Sequence, residues 1–385
     1  MNLVSFTKFE MTTSPKQSMS KFAAHSEGQG VSQFLPNENA VVLRNGRKIQ
    51  YDQLVIATGL KEDSSIKGLE EAWADPQHPF YTCTDHPSWK NSSSTAYRWL
   101  HNFQGGEAIF YIPPYPFHTE IENYNFLLAK SIWDRAADTA RISWDSSRFT
   151  IVNANPTFCH FYERGDAFLK EQIEKNNINV EYGLKLVEVR KETSTAIFEN
   201  TKTGERVERP YNNFYSLLEA KTDPIIADAG LADSQGLLDV NPSTLQHKKY
   251  SNIFGLGDVT NVETTRTFYA GFNQLHVVRH NLERQLNGLT PNAHYDGLSE
   301  ASIQLAMSKI TKLSHFYNGV PNDSLDDGFL SSLKYTWASK NKKSIINLLK
   351  FKNWGAPYYK FKKTFPDAPS QTQPATGLHP EKKSA

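Results

Sequence analysis

Residues 51–60 read YDQLVIATGL and residues 251–261 read SNIFGLGDVTN, and these two stretches decide the fold. In the first, Leu54-Val55-Ile56 runs into Ala57-Thr58-Gly59; in the second, Ile253-Phe254 runs into Gly255-Leu256-Gly257-Asp258. A short apolar run closed by small residues reads as a buried parallel strand whose carboxyl end leaves backbone bare for a close approach.

An aspartate at such an end accepts hydrogen bonds from ribityl hydroxyls, and a helix behind it turns its positive end toward phosphate. The helix is legible as an apolar-periodic segment over 268–286 that stops at Asn287-Gly288. Upstream, Asn45-Gly46 between strand-like runs at 40–44 and 48–51 predicts a hairpin. Residues 61–100 read as polar and irregular. Beyond them an α/β unit is expected: strands at 107–112 and 148–153, a helix over 121–136, an amphipathic helix over 166–176, strands at 179–182 and 184–189, and a hairpin joining 195–199 to 206–209 across Thr203-Gly204. Strands and helices alternating at this spacing imply a largely parallel sheet.

Composition narrows the function. The 385 residues carry 42 Lys and Arg against 41 Asp and Glu, a net charge of +1, so no global field invites nucleic acid. Two cysteines, Cys83 and Cys159, exclude a disulfide scaffold and any four-cysteine metal site; Cys159 reads as a buried thiol. No apolar run reaches the roughly 18 residues of a membrane span, and no targeting peptide is visible. No GxSxG, P-loop, HExxH or EF-hand pattern occurs. His276 and His280 stand one helical turn apart but lack a third ligand, and read as a solvated face. His118, Glu120 and Glu122 form a further loop cluster. Residues 345–365 mix Ile345, Trp354 and Tyr358 with basic residues such as Lys362, a pattern suited to an anionic membrane surface. The Pro/Ser/Gln/Lys-rich stretch 366–385 reads as a disordered tail.

The order of the two strand-end motifs, the 265–288 helix, and the segments ADAG at 227–230, LDV at 238–240 and TLQH at 244–247 resemble the two-dinucleotide-binding-domain flavoproteins. Within them the sequence is most similar to the sulfide:quinone oxidoreductases, the mitochondrial type in particular. The resemblance implies an α/β, FAD/NAD(P)-binding Rossmann-like fold divided as 1–104 (remnant of the FAD-binding domain), 105–235 (second Rossmann-like domain), 236–300 (return to the first), 301–365 (membrane-facing region) and 366–385 (tail). It implies FAD held by Ala57, Thr58, Gly59, Gly257, Asp258 and Arg266, two redox cysteines that pass electrons to a quinone, and a peripheral place on the mitochondrial inner membrane.

Three departures set this chain apart. The glycine-rich GxGxxG turn of the first βαβ unit is missing, and that unit is expected to be absent. Thr119 and Val259 stand where the family carries its redox cysteines, and neither can form a thiolate; Cys83 remains as the candidate remnant thiol. Phe268 and Tyr269 replace small residues and are expected to fill space beside the flavin ring. Two functions follow: a divergent flavin oxidoreductase of the sulfide:quinone type, or a catalytically inactive paralogue serving as a structural subunit of a mitochondrial membrane complex. A type II NADH dehydrogenase would need a glycine-rich turn after residue 112, where Pro113-Pro114-Tyr115-Pro116 stands.

Overall fold

The computed structural model describes residues 3–7, 30–82, 95–117, 124–139, 148–306 and 309–322. Strand β1 (Leu3–Thr7) is followed by a three-stranded antiparallel sheet of β2 (Val31–Leu35), β3 (Ala40–Leu43) and β4 (Lys48–Gln50). The hairpin turn falls at Asn45-Gly46, where Gly46 takes φ +82° at no steric cost. β5 (Gln53–Ala57) comes next. It runs parallel to β1 on one side and to β16 (Ile253–Gly255) on the other, forming the first parallel sheet. Leu54, Val55 and Ile56 are buried in succession because both faces of this sheet are covered.

The sequence reading places its first clear element at residue 40, and β1 adds an earlier strand to the first sheet. Leu3-Val4-Ser5-Phe6-Thr7 is β-favouring sequence, but a reading keyed to a glycine-rich turn passes over it. The order β1-β5-β16 is the 1-4-5 portion of a doubly wound sheet.

Residues 61–100 are also more ordered than expected. They contain β6 (Lys61–Glu62), α1 (Leu69–Ala74), β7 (Phe80–Thr82) and the start of α2 (Thr95–Asn102). α1 buries Leu69, Ala72 and Trp73, the i, i+3, i+4 face that a single helical turn offers. Elements this short carry too few residues to display a period.

The second unit holds β8 (Glu107–Ile112), α3 (Phe126–Asp138), β9 (Arg148–Asn153), α4 (Glu163–Lys175), β10 (Asn179–Tyr182), the antiparallel trio β11 (Leu184–Arg190), β12 (Thr195–Asn200) and β13 (Arg206–Pro210), and β14 (Asn213–Ser216). α3 begins at Phe126 rather than 121, and α4 starts at Glu163 rather than 166. The sheet order is β10-β9-β8-β14-β7, and every pair is parallel. The chain steps outward from β8 through β9 to β10, then returns to the other side of β8 as β14, so the order reverses between β8 and β14.

Aromatic side chains dominate the core between this sheet and its helices. The Trp99 ring lies 4.3 Å from Tyr215 and edge-on to Trp133 at 5.7 Å, while Phe110 stacks on Tyr215 at 5.1 Å. Cys159 is buried in this core, as the sequence indicates. The chain returns to the first unit through β15 (Ala220–Lys221), which pairs antiparallel with β6. It then forms α5 (Ile225–Asp228), β16, α6 (Phe268–Leu286), and the hairpin of β17 (Ser299–Ala306) and β18 (Lys309–His315). α6 has the predicted bounds. The hairpin sends Ala301, Ile303, Leu305 and Leu313 into the aromatic core. No helix among the described residues is long and apolar enough to cross a membrane.

Candidate functional site

The two strand-end motifs meet at the carboxyl edge of the first sheet. β5 and β16 are neighbours, and the Leu256 amide donates to the Ile56 carbonyl at 3.2 Å. Gly59 (φ +68°) and Gly257 (φ +77°) both occupy the left-handed region, and a Cβ on either would meet open space. Thr58 Oγ1 is buried with no hydrogen-bond partner. Gly255 is different: a Cβ there would lie 2.4 Å from Leu238 Cδ2, so this glycine serves packing.

Around this edge the second turn is closed from within. The Gly257 amide donates to Gln274 Oε1 of α6 at 2.7 Å, and Thr260 Oγ1 donates to the Gly257 carbonyl at 2.8 Å. Gln274 is 1% exposed, and nothing in the sequence singles it out except its place one turn inside α6. Val259 is completely buried among the aliphatic residues of the first unit. Thr267 caps α6, its Oγ1 accepting from the Ala270 amide at 3.3 Å, so one of the helix's first N–H groups is already satisfied.

Arg266 sits beside this turn and is only 3% exposed. Its φ is +50°, a conformation that a side chain with a Cβ rarely adopts. Its guanidinium donates to the Asp258 carbonyl and, at 3.0 Å, to the Tyr115 hydroxyl, and its centre lies 5.2 Å from the Tyr115 ring centroid. Among the described residues no carboxylate forms an ion pair with it. Tyr115 belongs to the loop after β8 and packs its ring 4.6 Å from His160 and 5.5 Å from Phe161. Arg266 therefore joins the carboxyl edges of the two sheets.

Phe268 and Tyr269, expected to take up space that the flavin ring would need, are not buried in the core. They are 51% and 37% exposed on the first turn of α6, and with Glu300 and Ser302 they border an open hollow of about 360 Å³. A second hollow of about 380 Å³ lies at the ends of β8 and β14, lined by Tyr115, Pro116, Glu219 and Lys221 among others. Cys83, Thr119, His118, Glu120, Glu122, Ile345, Trp354, Tyr358 and Lys362 lie outside the described residues. His276 packs edge-on against Phe272 and His280 hydrogen-bonds Asn292; no group of three metal-ligating side chains occurs among the described residues.

The buried histidines are structural. His247 Nδ1 accepts from the Lys249 and Tyr250 amides at 3.0 and 3.2 Å while Nε2 faces the Leu231 carbonyl at 3.2 Å. Those contacts require the neutral ring, and burial holds its pKa below the ordinary histidine value. His78 is likewise held low by burial, against the Tyr211 hydroxyl at 2.8 Å.

A dinucleotide flavin makes two demands on this edge. The ring end needs bare backbone at adjacent strand ends; Gly59 and the unpartnered Thr58 hydroxyl leave the end of β5 bare, whereas the amide and carbonyl of Gly257 are already bonded within the protein. The pyrophosphate end needs a glycine-rich turn leaving the first strand of the sheet. In the doubly wound order the first strand is the one beside β5, and Leu3–Thr7 fills that slot. Residues 8–27 after it contain no glycine. The residues present therefore do not fit FAD as a whole.

Two parallel sheets joined by a short crossover ladder, with glycine turns at the carboxyl edge of the first, define a Rossmann-like, dinucleotide-binding type of fold. No protein-family model matches the chain. It is 30% identical over 308 residues to the mitochondrial sulfide:quinone oxidoreductase of Schizosaccharomyces pombe, covering 79% of this chain and 64% of that protein. The Mus musculus protein of the same name is 28% identical over 76% of this chain and 63% of its own length. The chain is similar to the sulfide:quinone oxidoreductases, and it spans just under two thirds of the length of these relatives. The Aquifex aeolicus sulfide:quinone oxidoreductase shares the fold, with a TM-score of 0.62 at 17% identity over 88% of this chain and 78% of that one. A chain of the Tetrahymena thermophila mitochondrial ATP synthase structure superposes with a TM-score of 0.80 at 44% identity, covering 85% of this chain and 79% of that one.

Proposed function

We propose that this chain is a sulfide:quinone oxidoreductase-family protein without sulfide chemistry, working as an accessory subunit of a mitochondrial ATP synthase. The observation that carries the proposal is the similarity, at 44% identity across most of both chains, to a chain solved within the Tetrahymena thermophila mitochondrial ATP synthase. Identity to the sulfide:quinone oxidoreductases is 26–30%. The chemistry of the site supports the same reading. By resemblance the two redox cysteines are Thr119 and Val259; Val259 is sealed in an aliphatic core, and a valine can neither hold a bridging sulfur nor reduce a flavin.

Localisation follows as part of the proposal: a mitochondrial place at the inner membrane, with the basic-aromatic residues Ile345, Trp354, Tyr358 and Lys362 resting on its surface. The second reading, a divergent flavin oxidoreductase reducing a quinone, draws its support from the open-faced turns at Gly59 and Gly257 and from the unpartnered Thr58 hydroxyl. Native electrophoresis of gently solubilised mitochondria carrying an epitope-tagged chain tests the proposal. The tag is expected in the band that hydrolyses ATP in the gel. A tag that migrates apart from every ATP-hydrolysing band would defeat the proposal, whatever the flavin content.

A further inference from the structure

We propose that Arg266 and Tyr115 together take the place of a flavin ring: a built-in plug that ties the carboxyl edges of the two sheets and closes the ring end of the cradle. The proposal does not depend on the ATP synthase reading, because it concerns only how this fold is held together.

Ligands of doubly wound folds lie outside the carboxyl ends of the strands. In a two-unit flavoprotein a ring placed there would touch the ends of β5 and β16 on one side and the loop after β8 on the other. Arg266 spans these walls. One of its N–H groups reaches the Asp258 carbonyl, another reaches the Tyr115 hydroxyl, and the guanidinium carbon lies 5.2 Å from the Tyr115 ring centroid. Tyr115 extends the contact to His160 and Phe161, which follow β9. One side chain thus joins residues 257–267 to loops that follow two strands of the second sheet.

The arrangement is costly unless it does this work. A guanidinium 3% exposed, with neutral partners and no carboxylate among the described residues, gives up hydration that only well-placed hydrogen bonds replace. The backbone adds a second cost at φ +50°, where glycine would be comfortable and arginine is strained. Strain at a residue so thoroughly bonded is what a fold shows when the side chain's position, rather than the backbone's ease, is the requirement.

That strain supplies a clean test. Arg266→Gly removes the plug while relieving the backbone; because glycine also loosens the unfolded chain, the local exchange and the riboflavin titration, rather than stability alone, read the side chain's role. In the full chain, Arg266→Gly is expected to lower the thermal midpoint. It should also raise amide hydrogen exchange at Tyr115 and Phe117, the two residues of 113–117 that carry an N–H, and in residues 257–267 by at least about tenfold, with the β9–β10 pair unchanged. Titration with riboflavin, a flavin ring without the pyrophosphate, is expected to quench its fluorescence with at least about tenfold tighter binding to Arg266→Gly than to the unaltered chain. Tyr115→Phe, a milder change that keeps the ring, should raise exchange in the same two segments by a smaller factor. It also preserves the test should Arg266→Gly fail to fold. The proposal is overturned if exchange in both segments stays at its original rate in the folded variants. It is overturned equally if Arg266→Gly binds riboflavin no better than the unaltered chain, or if the unaltered chain binds FAD at one per chain.

Discussion

The carboxyl edges of the two parallel sheets have had opposite fates. The first ends in glycine turns with open space before Gly59 and Gly257. The second ends in Pro113-Pro114-Tyr115-Pro116 and packs its tyrosine on His160 and Phe161. The difference shows which parts of a cofactor site serve the fold and which serve only the cofactor. Gly255 stays small because Leu238 and Val240 press on it, and Gly257 helps to turn the chain from β16 toward α6. These demands persist with or without a ligand. A redox cysteine has no such structural duty, and a valine at 259 packs the aliphatic core directly.

Substitutions can break this comparison, and the largest effect is expected in the aromatic core of the second unit. Trp99→Ala removes a fully buried ring that touches Tyr215, Trp133 and Phe110, and should cost about 3–5 kcal/mol in denaturant unfolding. A loss below 1 kcal/mol would show that this core is not what stabilises the second unit.

Two glycines of the first edge sharpen the contrast at smaller magnitude. Gly255→Ala drives a methyl into Leu238 and should cost roughly 1–3 kcal/mol. Gly257→Ala meets no neighbour and carries only the left-handed backbone penalty, about 1 kcal/mol. Equal costs would mean that Gly257 is packed rather than open. Val259→Cys tests the sealed position directly. Its thiol is expected to resist a water-soluble disulfide reagent in the native protein and to react on unfolding; rapid native labelling would reveal solvent access to this site.

The pH response should also be modest and of definite sign. His247 and His78 have folded-state pKa values below the ordinary histidine value near 6.5, because burial disfavours the charged ring. The unfolded chain therefore takes up protons first. The stability these neutral rings confer is fully present above about pH 6.5 and declines as pH falls through that value toward their folded-state pKa values. His247→Gln should flatten the decline in thermal midpoint between pH 7 and 5; an unchanged slope would exclude His247 as its source. The smallest effect is expected at the crossover ladder. Lys221 is 2.5 Å from Asp63, and its hydrogen bond is the largest influence holding that carboxyl down at about 2. The lysine is exposed, so Asp63→Asn should cost at most about 1 kcal/mol.

Much of this was legible in the residues themselves. The periods of 268–286 and 107–112, the Asn45-Gly46 turn and the two strand-end motifs placed the main elements because each is long enough, or marked enough, to declare its type. Leu3–Thr7, α1 and β7 were not legible: each spans only three to six residues, and its state is set by the strand or core beside it. At the site, the glycines and Asp258 were visible as a motif. The exposed setting of Phe268 and Tyr269 was not legible, because a residue's size says nothing of which side of a helix's first turn it occupies. Tyr115 and Gln274 carried no signal, since their partners stand 151 and 17 residues away and only the folded edge brings them together.

The most direct measurement is the flavin content of the chain purified from its native source under mild detergent, read as visible absorbance against protein. A fold held by its own side chains should show no flavin band. One flavin per chain would contradict the proposed loss of the cofactor and favour the oxidoreductase reading.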